Sequence, residues 1–364
     1  LSIPLALYEA VTTQNDLVSS AFVICFITCG YRLVQKGGWL WSLPVSAALG
    51  FAILTKASTL IYVLPFSAFF AWELLRKFKL RALGWGLLIG GLALAIYAPF
   101  SLRIWQVYGS FSGPTADYRN AAVGMKVVLS NALRNAALNF TPPADAGSFE
   151  PRRVIQKGLR WLHHWIPLDP LDPRTTWVYD HPDPFGFIDF INEDQGANPI
   201  HTALIGAAVA WLALRTIRTR DELTIYSWLL IAGFLAYCGV FRWQPWGNRL
   251  FLPLFLLWCP AIAGLLFRRS PAWFTLPVLT AVVGLGFHGV WGMMFRPLSP
   301  ALYRQMSQID LLFLPAPESR SVYVTMMDEI DQAGCARIGL VIEQDIIEYP
   351  FWRMLQQNES DGNI

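Results

Sequence analysis

Stretches of 17 to 23 mostly apolar residues alternate with polar connections along this chain. The apolar runs cover residues 17–35, 39–55, 57–75, 82–104, 199–215, 224–241, 249–267 and 271–293. Each approximates the ~20 residues that an α-helix needs to cross a ~30 Å hydrocarbon core. The pattern predicts an α-helical polytopic membrane protein with eight transmembrane helices in two groups, within residues 1–106 and 199–293. Residues 107–198 separate the groups as a long loop with two amphipathic helices of its own. In 121–138, Val127, Val128 and Leu133 stand against Lys126 and Arg134. In 152–166, Ile155, Leu159, Leu162 and Ile166 share a stripe. This second helix carries Trp161 and Trp165 and suits either the membrane interface or packing on the bundle. Prolines at 167, 170, 173, 182 and 184 forbid regular helix there and predict an ordered loop. Residues 294–364 turn polar and read as a small α/β extramembrane domain. In it, strands 321–325 and 337–342 flank a helix at 326–333, and a further helix covers 349–357.

Charge gives the helices an expected direction. If the first run travels inward, the inner connections hold Arg32 and Lys36; Arg76, Lys77, Lys79 and Arg81; Arg215, Arg218 and Arg220; and Arg268 and Arg269. Asp221 and Glu222 are the acids among them. Such a Lys and Arg bias in short loops sets orientation, so the long loop and the C-terminal domain are expected outside. With 54% hydrophobic residues and 15% charged, the composition is not that of a soluble domain. Nucleic acid is not an expected partner, because no basic face is interleaved with aromatics. Cys25, Cys29, Cys238 and Cys259 lie inside apolar runs and Cys335 stands apart, so neither a disulfide framework nor metal-ligand spacing emerges. Residues 1–16 read as the outer end of something preceding them, which makes the chain an expected N-terminal truncation.

Candidate chemistry gathers on the expected outer face. Asp16 lies at a membrane boundary, where an ionisable group is costly unless it faces a polar cavity. Equally, Asn15 or Asp16 serves as a helix N-cap, bonding the free N–H groups of the first turn. Lys56 sits between two apolar runs, although insertion of lysine costs about 2.5 to 3.5 kcal/mol at a helix centre and less near an end. It either snorkels to water or meets a phosphate beside Thr55 and Ser58. Glu193 or Asp194 with His201 can ligate a divalent cation, or the stretch is a solvated loop whose Pro199 starts a helix. In 242–253, Arg242 and Arg249 place two guanidiniums at the outer mouth, suited to bidentate phosphate contact. Trp243 and Trp246 beside them suit a sugar face or the membrane interface. Gly-x-Ser-x-Gly, His-Glu-x-x-His and Walker patterns are missing from the sequence, so hydrolase and ATPase readings lack support.

Three segments carry a resemblance. Asn15-Asp16 opens a helix, Gly50-Phe51-Ala52-Ile53-Leu54-Thr55-Lys56 matches a Gly-x-x-x-Leu-Thr-Lys hairpin, and Asn248-Arg249-Leu250-Phe251-Leu252-Pro253 is similar to Arg-Tyr-Leu-x-Pro. In their order and spacing, over about residues 1–270, the chain resembles the polyprenyl-phosphate-dependent GT-C glycosyltransferases. That superfamily includes the bacterial dolichyl-phosphate-mannose mannosyltransferase-like (family 39-like) proteins and the aminoarabinose transferases. The resemblance implies a multi-pass inner-membrane enzyme with a polyprenyl-phosphate-linked sugar as donor and an inverting transfer on the periplasmic side. It also implies an acidic base in an outer loop that would precede Leu1. Asp16 would be the second acidic position, assisting acceptor or metal. Lys56 and Arg249 would hold the donor phosphate, with Arg242, Trp243 and Asn248 completing the substrate-binding set. Leu250 departs from the usual aromatic, and residues 107–198 exceed the family core, which leaves the acceptor open. Competing expectations are a lipid-linked glycan ligase or polymerase, a transporter or flippase, and a non-catalytic scaffold. A transporter should place charges or helix breaks near helix midpoints and repeat itself in inverted halves. The helix centres are almost free of charge, and the first four and last four runs show no clear mutual similarity.

Overall fold

A computed structural model describes residues 3–10, 14–111, 118–140, 151–177, 185, 198–216, 221–268, 271–295, 305–313, 319–334, 337–339 and 348–360. The chain divides into two compact units, Leu1–Val290 and Trp291–Ile364.

The first unit is helical. A short α1 (Pro4–Glu9) leads to α2 (Asp16–Lys36), α3 (Trp39–Thr55), α4 (Thr59–Phe78) and α5 (Leu80–Tyr108). Next come α6 (Met125–Phe140), α7 (Pro151–His164), α8 (Pro199–Thr216) and α9 (Glu222–Val240). A 3₁₀ turn at Gly247–Phe251 runs into α10 (Leu252–Ile262) and a π-helical turn at Ala263–Phe267, before α11 (Ala272–Phe295). Each of the eight apolar runs therefore lies on helix, with ends shifted by a few residues. Eight spans is nevertheless more than the helices support. Among the described residues five are long and apolar enough to cross a membrane: Asp16–Lys36, Thr59–Phe78, Leu80–Tyr108, Glu222–Val240 and Gly247–Phe267. The apolar stretches Trp39–Thr55, Pro199–Leu214 and Ala272–Gly284 are shorter. At 1.5 Å per residue, 17 residues of α3 reach only about 25 Å.

Periodicity explains how these helices pack. On α2, Ser19, Val23, Phe26, Ile27, Gly30 and Leu33 recur at three- and four-residue intervals and are buried against α3, α4 and α10. On α4, Tyr62, Phe66, Phe70 and Leu74 repeat every four residues and face α2 and α9. A Cβ at Gly30 would lie 2.2 Å from the Phe70 ring, so this crossing requires glycine. Elsewhere large apolar side chains face outward, among them Leu80, Leu87, Leu94 and Trp273. In α5, a mean hydropathy of 1.8 accompanies burial of just 11% of the span. Such a surface suits lipid, in which helices associate by close packing because hydrocarbon offers no contrast to expel them.

The second unit corrects the expected α/β domain. Among the described residues it contains three helices, α12 (Gln308–Leu312), α13 (Arg320–Ala333) and α14 (Glu348–Ser360), and no strand. The expected strand 321–325 lies inside α13. Tyr323, Met326, Met327 and Ile330 fall at i, i+3, i+4 and i+7, and pack with Phe313, Phe351 and Met354. That helical period overrides the strand preference of Val322, Tyr323 and Val324. Gly334 ends the helix in the left-handed conformation at φ 59°. Of the second expected strand, 340–342 lie outside the described residues and 337–339 are irregular. The expected helices at 326–333 and 349–357 form.

Candidate functional site

A polar cluster closes one end of the α2–α4 bundle. Asp16 is the first residue of α2 and Lys56 follows the last residue of α3, so the chain path brings both to that end. Asp16 is 1% exposed, and its Oδ1 forms an ion pair with Lys56 Nζ. Its Oδ2 is buried and accepts no hydrogen bond among the described residues. The backbone holds this geometry. Asn15 Nδ2 donates to the Thr55 carbonyl at 2.8 Å, tying the start of α2 to the end of α3. Thr59 Oγ1 donates to the carbonyls of Ala52, at 3.0 Å, and Lys56, at 2.7 Å, bracing the turn that carries the lysine. The N-cap alternative is not what forms: Asn15 stands at the N-cap position without a side-chain cap bond, and the Asp16 carboxylate turns to Lys56. Ser19 and Ser20 donate instead to the Asp16 carbonyl, at 2.9 and 2.6 Å.

Arg249 and Glu9 join this cluster. The Lys56 ammonium titrates below its usual value, chiefly because burial disfavours its charge. The Asp16 carboxylate opposes that shift, the Arg249 guanidinium adds to it, and the Glu9 carboxylate opposes it again. Lys56 thus feels charged side chains from three other stretches of sequence. Glu9 is 2% exposed at the end of α1. Beneath them, Tyr62 and Tyr237 stack at 6.1 Å with ring planes 6° apart, and Asp16 lies within electrostatic reach of both. Tyr62 Oη donates to the Leu250 carbonyl at 2.6 Å, which fixes the 3₁₀ turn bearing Arg249 above the end of α4.

A roof built by α6 holds the remainder of that loop. Asn131 Nδ2 donates to the carbonyls of Cys238, at 2.9 Å, in the last turn of α9, and of Phe241, at 3.1 Å, just after it. Backbone bonds join Trp243 N to the Thr175 carbonyl, at 2.9 Å, and Trp177 N to the Trp243 carbonyl, at 2.8 Å. Arg134 is 1% exposed and donates to the Pro170 carbonyl at 2.8 Å, Thr176 Oγ1 at 2.7 Å and Asn131 Oδ1 at 2.6 Å. It lies 5.3 Å from the Trp243 ring, and burial pushes its pKa down to about 9. The amphipathic reading of 121–138 set Arg134 on the polar side, whereas the structure buries it completely beneath the proline-rich segment.

The sequence candidates therefore separate. Asp16, Lys56 and Arg249 come together; Asn248 is buried in the same 3₁₀ turn, and Arg242 is half-buried. Trp243, proposed as an open indole face, is 4% exposed and covered by Arg134. Its role is to anchor the loop. Of the metal candidates, His201 is buried in the first turn of α8, while Glu193 and Asp194 lie outside the described residues. Among the described residues no group of three His, Cys, Asp or Glu side chains converges to hold a metal ion. Sequence reasoning missed Glu9, whose six-residue helix offers too little periodicity to betray a buried face, and the roofing pair Asn131 and Arg134. The Tyr62 and Tyr237 floor lay hidden in two apolar runs. No family model, curated protein or solved structure matches the chain.

Proposed function

We propose that this chain is an integral-membrane glycosyltransferase of the GT-C kind that moves a sugar from a polyprenyl-phosphate donor to a lipid, glycan or protein acceptor on the outer face of the membrane. One observation carries the reading: a buried Asp16–Lys56 ion pair at the end of an apolar bundle, with Arg249 within electrostatic reach. A lipid-linked substrate requires its phosphate to meet protein cations where hydrocarbon ends, and these side chains occupy such a boundary.

In the proposed reaction the acceptor oxygen bonds to the anomeric carbon as the bond from that carbon to the phosphate oxygen breaks. The polyprenyl phosphate leaves as an anion, and Lys56 and Arg249 stabilise the charge that develops on it. The acceptor proton passes to a carboxylate. The site offers two, Asp16 through its uncommitted Oδ2 and Glu9. Fixed cations suit this task because a site poor in water strengthens their pull and needs no reorganisation during transfer.

The test is sugar transfer from a radiolabelled polyprenyl-phosphate sugar by the membrane-reconstituted protein. Asp16→Asn and Arg249→Ala are each expected to slow turnover by about 10²- to 10³-fold, the scale of losing one charge-stabilising group. Unchanged turnover in both variants would remove the site assignment. Transport of the intact donor without transfer would favour a flippase.

A further inference from the structure

The opposite end of the same bundle holds an apolar groove of about 560 Å³ between α2, α3, α4 and α5. That volume lies within the ~300 to 1,000 Å³ typical of ligand sites. Leu49, Phe70, Leu74, Leu83, Gly86 and Gly90 contribute to its wall. Glycines create the space: a Cβ at Gly86 or Gly90 would meet no atom within 4 Å. Ser67 is the polar residue of the lining, and its hydroxyl already donates to the Val63 carbonyl at 2.8 Å. The groove therefore offers hydrocarbon contact and asks for no polar partner. On α5 it runs from Ala82 to Gly90, about 12 Å at 1.5 Å per residue. This is less than half of a ~30 Å core, so the groove fits a chain from one leaflet rather than a molecule crossing both.

Charge marks which lipid. The groove residues Leu74, Leu75, Ala82 and Leu83 flank the connection holding Arg76, Lys77, Lys79 and Arg81. Lys77 Nζ donates to the Val34 carbonyl at 3.4 Å, so this connection meets the end of α2 that carries Arg32 and Lys36. Two acids reach this end: Glu73, which already accepts from Arg76 at 2.8 Å, and Glu222, within electrostatic reach of Tyr31 beside Arg32. An acyl chain lying in the groove places its headgroup against a cationic rim.

We propose that this groove binds one acyl chain of an anionic phospholipid, of the phosphatidylglycerol class, whose phosphate rests on Lys77, Lys79 and Arg81. The site is separate from the Asp16 cluster, since its nearest wall residue on α2, Phe26, stands about 15 Å along the helix from Asp16.

The experiment reconstitutes the protein in bilayer discs of phosphatidylcholine with phosphatidylglycerol and counts retained lipids by native mass spectrometry. The native chain is expected to retain phosphatidylglycerol in preference to phosphatidylcholine. Gly86→Leu with Gly90→Leu fills the groove, and both lipids should be lost. Lys77→Gln and Arg81→Gln alter exposed side chains, and the long Lys77 bond to the Val34 carbonyl is the contact given up. Each should lower the preference about fivefold, as expected for one charge at a membrane surface, while a lipid is still retained. Equal retention of the two lipids by the native chain, an unchanged preference in the charge variants, or displacement of phosphatidylglycerol by added polyprenyl phosphate would each overturn the proposal. The charge variants decide the matter if the filled groove fails to fold.

Discussion

The two ends of the α2–α5 bundle both place lysine and arginine at a hydrocarbon boundary, yet they hold them differently. At one end Lys56 is 21% exposed in its side chain, paired with a carboxylate that is 2% exposed, and braced by bonds from Asn15 and Thr59. At the other, the Arg76 side chain is 63% exposed and pairs with Glu73 three residues away. Net charge alone would not distinguish them. A cation fixed in a water-poor pocket acts strongly on one ligand atom, whereas solvated cations act as a diffuse field that salt screens. Fixed charge suits chemistry; diffuse charge suits holding a lipid headgroup.

The sharpest way to break this contrast is Lys56→Met, which strands the Asp16 carboxylate. Removing one partner of a buried pair typically costs about 3 to 5 kcal/mol. The unfolding free energy in mixed micelles should fall by that amount, and Asp16→Asn added to Lys56→Met should restore part of it. A loss below about 1 kcal/mol would mean that water reaches the pair freely. Next in size, Arg249→Lys keeps the charge but loses the planar fork. It should recover only part of the transfer activity lost in Arg249→Ala, as read from kcat with a polyprenyl-phosphate sugar.

The roof supplies a third test through acid. His163 Nε2 lies 2.7 Å from Ser130 Oγ, and burial, then the neighbouring Arg134, holds the His163 pKa below 6.5. A folded pKa under the unfolded one means that the unfolded chain binds the proton more readily. The contribution of His163 is therefore complete above pH 6.5 and is lost as the pH falls through the lower folded value. Protection of the α6 and α7 amides, with exchange corrected for its intrinsic pH dependence, should fall across that window, and His163→Gln should flatten the response. At the small end, Arg76→Gln should change stability by no more than about 0.5 kcal/mol, as exposed pairs do. A larger loss would show that the open end is also built on fixed charge.

Much of the helical framework could be read from hydropathy, because an apolar run inside hydrocarbon satisfies its backbone as helix. Asp16, Lys56 and Arg249 were also visible as charges against the grain of apolar sequence. What brings them together was not. The Asn15 bond to Thr55 spans 40 residues, and the Tyr62 bond to Leu250 spans 188. No local pattern encodes such partners. Arg134 was misread for the same reason: its acceptors at 170 and 176 fold over it from a segment where regular helix is barred. In the C-terminal unit, β-branched residues suggested strands, but the spacing of Tyr323, Met327 and Ile330 decided the outcome once Phe351 and Met354 were there to receive them.

On the function proposed above, the resting ion pair has a kinetic consequence. Lys56 is never bare, because Asp16 occupies it as a tethered stand-in for an incoming anion. A donor must displace that stand-in on arrival, and the spent lipid carrier must compete with it before departing. The built-in rival therefore weakens the grip on the exhausted carrier, so that each catalytic cycle can clear its own product.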